Sequence, residues 1–198
     1  MNGAEGRTVV TGVSPDFAMT KMDEENHPEC DVYVEDIVAS TLVSEIIASS
    51  NERDLLSRVK IIPFGSASVG MALGQMAANK RFPRSSVVFL DGDQSSAIGC
   101  KILPGDDAPE IVVFESLQEI GWPGIPEKIS RKPSESIDAL NNAMTNTDHH
   151  DWIEYAANSL NIGGEILWHA LCTSWAVNCL NETSRDAVVQ PIVDAMEE

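Results

Sequence analysis

Two acidic steps in this chain have a spacing that suits metal chemistry. The first is Asp91-Gly92-Asp93, which ends the apolar run 87–90. On an extended backbone, side chains alternate faces, so Asp91 and Asp93 would point the same way with Cα atoms roughly 6–7 Å apart. Gly92 between them would leave room for a ligand to approach the backbone. The second is Glu35-Asp36, which ends the run 32–34. Carboxylate oxygens carried on strand ends suit a hard cation such as Mg²⁺ or Mn²⁺. Glu35, Asp91 and Asp93 are the expected ligands and catalytic acids, with Asp36 as an outer ligand. Two acids around one glycine, taken alone, more often cap the next turn. The acid at a second strand end favours the metal.

These residues need a scaffold that brings them together. Residues 32–34 read as a strand, and 37–49 as a helix with Val38, Leu42 and Ile46 on one face. Residues 59–64 read as a second strand turned by Gly65. Ser66 or Ser68 would cap a helix running to about Asn79. The third strand is 87–90, and 95–99 a short turn or helix. A fourth strand, 100–103, precedes Pro104-Gly105. Pro109 then suits the first position of a helix that Gly121 stops. Alternating β and α elements predict a parallel sheet flanked by helices. Right-handed crossovers bring all strand C-termini to one edge, so Glu35, Gly65, Asp91 and Asp93 should converge there. Helices are expected at 134–144, 151–160, 165–180 and 184–196. Near the start, 7–10 reads as a short strand and 22–29 as an acidic linker.

The 13 basic and 31 acidic residues give a net charge of −18, unusual for a free-standing nucleic-acid binder. Lys80, Arg81 and Arg84 lie together before the third strand, and Lys101 follows the acidic pair. These four are the candidate phosphate or DNA contacts. His149-His150 could carry a proton or bind metal near the rim, or simply start a helix beside Asp148 and Asp151. His27-x-x-Cys30 has no second ligand pair, so zinc is not expected there. Trp152, Trp168 and Trp175 fall on helical patterns and read as packing residues. No membrane-length apolar run occurs, no signal peptide is evident, and the four cysteines are scattered. A cytoplasmic protein with reduced thiols is the expectation.

The order VYVED, IIPFG, VVFLDGD resembles the Toprim domain of topoisomerases, bacterial primases and OLD-family (overcoming lysogenization defect) nucleases. CKILPGDDAPEIVVFESL is similar to the segment that follows the acidic pair in OLD-like ATP-dependent nucleases. DHHDWIEYA resembles their helical C-terminal region. RTVVTGVSPDF resembles the end of an ABC-type ATPase domain. The resemblance implies a Toprim-like four-stranded parallel sheet and a helical C-terminal extension. Residues 1–30 would be an ATPase remnant with a linker, 31–125 the Toprim domain and 126–198 the extension. It also implies endonucleolytic cleavage of DNA with one or two Mg²⁺ or Mn²⁺ ions held by Glu35, Asp91 and Asp93. Ala39 stands where some members carry a second acid.

GSASVG lacks the lysine of a phosphate loop, so ATP hydrolysis is not expected of this chain itself. An ABC-type ATPase domain or subunit is the expected partner, with DNA as substrate; a homodimer is a further expectation, and no membrane association is expected. Two alternatives stay open. FLDGDQS also fits a haloacid dehalogenase-type phosphatase, with Asp91 as nucleophile. The net charge and Ala39 would also suit a degenerate, non-catalytic interaction module.

Overall fold

The computed structural model describes residues 27–197. The expected strand at 7–10, the ATPase-like segment and most of the linker lie outside the described residues.

The sheet contains four strands: β1 (Cys30–Val34), β2 (Val59–Pro63), β3 (Ser85–Leu90) and β4 (Cys100–Ile102). Their spatial order is β2-β1-β3-β4, and every pairing is parallel. Strand β1 alternates: Cys30, Val32 and Val34 are buried, while Asp31 and Tyr33 are half-buried. Val59 and Ser85 both pair with Cys30, so the two neighbours of β1 start level with it. The α/β class expected from alternation is the one observed.

Helix α1 (Ile37–Ala48) connects β1 to β2, with the short α2 (Leu55–Arg58) just before β2. Helix α3 (Ala67–Ala78) then carries the chain past β1 to β3. A right-handed crossover in each direction places α1 and α3 on opposite faces. On the α3 face, a side chain at Gly70 would collide with Leu90 and Phe64, and one at Gly74 with Cys100. The last glycine of GSASVG, Gly70, thus serves close packing of helix on sheet, as does Gly74 one turn on.

The other face carries most of the core. Cys30, Val32, Val34, Val87 and Phe89 pack in one cluster with Leu42, Val43, Ile46 and Ile47 of α1. The same cluster continues into α4 (Pro109–Glu119), α5 (Ile125–Lys128), α6 (Pro133–Ala143), α7 (Trp152–Leu160), α8 (Gly164–Asn178) and α9 (Glu182–Glu197). The expected boundary at 125/126 therefore falls inside a continuous apolar core. Trp168 on α8 is 3% exposed and donates its indole N–H to the Val38 carbonyl at 3.0 Å. Phe114 packs against Trp122 and Trp152 at centroid distances of 5.7 and 5.5 Å. All three expected packing tryptophans are buried.

Guanidinium groups brace these helices. Arg131 donates to the carbonyls of Leu160 and Asn161, at the end of α7. Arg185 donates to the carbonyls of Ala176 and Leu180 near the end of α8, and to Ser49 Oγ after α1. Both place positive charge where a helix dipole and its orphan carbonyls need it. No described helix is long and apolar enough to cross a membrane.

Trp168→Ala removes a large buried side chain from the junction of α8 and α1. We expect a loss of about 3–5 kcal/mol in denaturant unfolding. A loss within error of zero would show that the helical region does not support the sheet.

Candidate metal centre

The chain turns outward in two directions from the centre of the sheet. From β1 it goes to β2 on one side; from β3 it goes to β4 on the other. In open parallel sheets a crevice forms outside the strand C-termini at such a reversal, and ligands bind there. Glu35 follows β1 directly, and Asp91 follows β3 directly. The expected convergence at one rim is therefore met at its central point.

Both acids are half-buried, each with one oxygen turned into the fold. Glu35 Oε2 and Asp91 Oδ1 are inaccessible and have no hydrogen-bond partner. Burial first, and then the charges of Glu35, Asp36, Asp93 and Glu110, together push the Asp91 carboxyl up to about 7. Burial also raises Glu35, helped by the Asp36 and Asp93 charges and opposed by the backbone N–H of Ala67. Desolvated, mutually repelling carboxylate oxygens with no donor are what a divalent cation would satisfy. The donor set, all oxygen, fits Mg²⁺ or Mn²⁺.

The local backbone differs from the extended segment expected at 91–93. Strand β3 ends at Leu90, and the Gln94 N–H donates to the Asp91 carbonyl at 3.1 Å, closing a turn. Asp91 consequently points inward while Asp93 is exposed, its Oδ1 accepting from Gln94 Nε2 at 2.8 Å. Gly92 also has a different role. The space a side chain would occupy there is taken by the carbonyl oxygens of Gly105 and Asp107. The glycine lets the loop after β4 close against the acidic turn, rather than admitting a ligand.

Neighbouring positions hold the rim in place. Gly65 adopts φ +96° and donates its N–H to the Glu35 carbonyl at 2.7 Å. That left-handed backbone favours glycine. Asp36 Oδ1 accepts the Ala39 N–H at 2.8 Å as the N-cap of α1, so one of its oxygens is engaged in holding the helix. Ser66 stands at the N-cap of α3 as expected, but its side chain makes no capping bond. Ala39 is fully buried, so its side chain faces the core and not the rim.

The basic candidates are elsewhere. Arg84 precedes β3 and pairs with Asp31, at the start of β1, at 3.2 Å. Six residues of strand separate Arg84 from Asp91, roughly 20 Å at 3.3 Å per residue. Lys80, Arg84 and Lys101 line a cavity of about 530 Å³ with Phe82, Ser85 and Asp194. Arg81 is exposed beside this group. Lys80, Arg81 and Arg84 therefore lie away from the acids, because residues that precede a parallel strand end up at the opposite edge from those that follow it. Lys101 pairs with Phe89, two residues before Asp91, and lines the cavity with Lys80 and Arg84.

Sequence reasoning missed one residue of the rim. Glu110 occupies the first turn of α4 after Pro109, is only 4% exposed, and adds its charge to those that raise Asp91. Its signal was the proline-then-glutamate step after a strand end: a helix that starts there starts at the rim. Glu110 Oε1 meets His150 Nδ1 at 3.2 Å. That contact, with the charges of Glu110, Asp148 and Asp36, raises the His150 pKa against the effect of burial. His149 and His150 lie in a 3₁₀ turn, His149–Asp151, capped by Asp148. Both expected auxiliary histidines thus belong to the acidic side of the molecule.

Comparison with family models, curated proteins and solved structures finds no match to this chain.

Two predictions follow from the desolvated acids. In chelator, native Asp91 keeps a proton between pH 3.8 and about 7 that the unfolded chain has released, so its contribution to stability falls as pH rises through that window. Asp91→Asn should therefore stabilise the metal-free protein at pH 7.5, by on the order of 1–3 kcal/mol after solvent screening. The gain should vanish below pH 4, and thermal unfolding across that range is the check. Gly92→Ala should lower the melting temperature and weaken the Mg²⁺-induced thermal shift together, since its Cβ displaces the loop carrying Gly105 and Asp107. An unchanged shift would separate the loop from the cation site.

Proposed function

We propose that this chain is a metal-dependent DNA endonuclease module of the Toprim type, of the kind found in OLD-like ATP-dependent nucleases. The observation that carries this reading is the pairing of Glu35 with Asp91 across the central crevice of the sheet, each with a buried, unpartnered oxygen. The resemblance of VYVED, IIPFG and VVFLDGD supplies the chemistry; the crevice supplies a place for it.

In this reading Glu35, Asp91 and Asp93 hold one or two Mg²⁺ or Mn²⁺ ions, with Asp36 outside them. The bound cation would polarise a phosphodiester and lower the pKa of water for attack. Glu35 and Asp91 contribute oxygens already stripped of water, so little reorganisation accompanies binding. Asp93, exposed on the turn, is placed to adjust to a cation as it enters. Gly65 and the Asp36 cap keep the Glu35 backbone from moving.

Electrostatics argue that the module does not capture DNA by itself. The rim is acidic; Lys80, Arg81 and Arg84 precede β3 at the other end of the sheet, and Lys101, level with Phe89, lines the cavity that holds Lys80 and Arg84. A phosphate backbone approaching Asp93 would meet repulsion that only cations or a basic partner surface offset. An ABC-type ATPase domain or subunit that brings DNA to the rim is the partner this implies. Cytoplasmic location and a homodimeric assembly are part of the same proposal.

The test is nicking of supercoiled plasmid by the full chain at high protein concentration with Mn²⁺ or Mg²⁺, at an ionic strength that screens the repulsion between the acidic rim and DNA. Cleavage should be lost in chelator and fall by about 100-fold or more in Glu35→Gln and Asp91→Asn. Metal-independent cleavage, or cleavage that persists in both variants, would overturn the reading. Covalent phosphate trapped on Asp91 after incubation with a small phosphomonoester would replace it with phosphatase chemistry.

A further inference from the structure

We infer that Glu110, His149 and His150 form a second cation site, one for a first-row transition ion such as Zn²⁺ or Co²⁺. It is chemically distinct from the all-oxygen rim and does not depend on the nuclease reading.

Three observations carry this. First, one ligand atom from each of the three residues lies within 4.8 Å of the other two. Two donors bound to a tetrahedral zinc at about 2.1 Å stand roughly 3.4 Å apart, and Glu110 Oε1 already stands 3.2 Å from His150 Nδ1. The His149 and His150 rings lie 4.0 Å apart, so modest side-chain rotation completes the set.

Second, Glu110 is a carboxylate only 4% exposed, and the imidazole against it is largely in solvent. Asp91, half-buried and acidic, feels the Glu110 charge. A buried carboxylate facing another acid is costly unless it is paired or coordinates a metal. A divalent cation neutralises it where an exposed imidazole does so only in part.

Third, the fold around the ligands holds them in place. Asp148 accepts the His150 N–H at 3.1 Å and shapes the 3₁₀ turn. Trp152 anchors the turn from below, donating its indole N–H to the Asn146 carbonyl at 2.9 Å, and His149 packs edge-on against its ring. Pro109 starts α4 one residue before Glu110 and sets its direction. Pre-positioned ligands on two separate elements are what a metal site requires of its protein.

The donor set decides the ion. Two imidazoles with one carboxylate favour Zn²⁺ or Co²⁺ over Mg²⁺, Mn²⁺ and Ca²⁺, which prefer oxygen donors. Three protein ligands leave a coordination position for solvent or for a ligand's oxygen.

The experiment uses the full chain, stripped with chelator and then held in excess Mg²⁺ so that the rim is occupied. Co²⁺ is titrated by its visible absorption, and Zn²⁺ by competition against it. We expect one Co²⁺ per chain, retained in the Asp91→Asn/Asp93→Asn variant. Affinity should weaken at least tenfold in His149→Gln/His150→Gln and in Glu110→Gln. The Mg²⁺-induced thermal shift should survive in the histidine variant, which separates this site from the rim and reports that the protein is folded. Unchanged Co²⁺ affinity in folded histidine and Glu110 variants would overturn the proposal. So would binding abolished by the Asp91/Asp93 variant alone, since the ion would then sit on the rim.

Discussion

The register that sets Cys30 beside Ser85 and Tyr33 beside Val88 puts two central strand ends side by side. Glu35 and Asp91 are the next residues along each strand. Neither can move away without breaking the ladder between β1 and β3. The sheet therefore holds two carboxylates together against their own repulsion, and their burial makes that repulsion stronger than it would be in water. This conflict is sustained by the core beneath it, where Val32, Val34, Val87 and Phe89 pack under α1 and the C-terminal helices. The helical region is thus part of what makes the rim possible. Trp168 reaches the Val38 carbonyl on α1, the helix that Asp36 caps at the rim.

The charge distribution follows the same logic. On a chain of net charge −18, several cationic side chains have structural assignments. Arg58 pairs with the buried Glu29, Arg84 with Asp31, and Arg131 and Arg185 close helix ends. Positive charge is spent on holding elements together, leaving the rim with Glu35, Asp36, Asp91, Asp93 and Glu110. Such a surface attracts cations before it attracts anything else. The oxygen-only rim and the imidazole-containing cluster beside it differ in softness, so they would select different ions from the same solution.

Much of this was legible in the residues themselves. Apolar periodicity places α1, α3 and the four strands within a few positions of where they fold, because local burial patterns depend on spacing alone. The β-α alternation determines parallel pairing, and parallel pairing determines that acids at strand ends share an edge. By the same rule, residues before β3 belong at the far edge, which is why Arg84 lies away from Asp91. The sequence suggested Lys80, Arg81, Arg84 and Lys101 as contacts for the site because they neighbour it along the chain. Across a six-residue strand the first three stand at the opposite end, while Lys101, level with Phe89, lines the cavity it shares with Lys80 and Arg84.

Other features depended on contacts between segments far apart. Nothing local to Asp91-Gly92-Asp93 announces that the Gly105 and Asp107 carbonyls press against it, so the glycine read as an opening rather than a packing position. Nothing local to Pro109-Glu110 announces that its carboxylate meets a histidine forty positions later. The sequence by itself determined the fold class, the strand ends and the chemical types gathered there, since these follow from pattern and handedness. Only the tertiary structure decided which oxygens lose their water, which loop closes on the turn, and that Glu110 stands with His149 and His150, because desolvation and proximity are properties of packed neighbours.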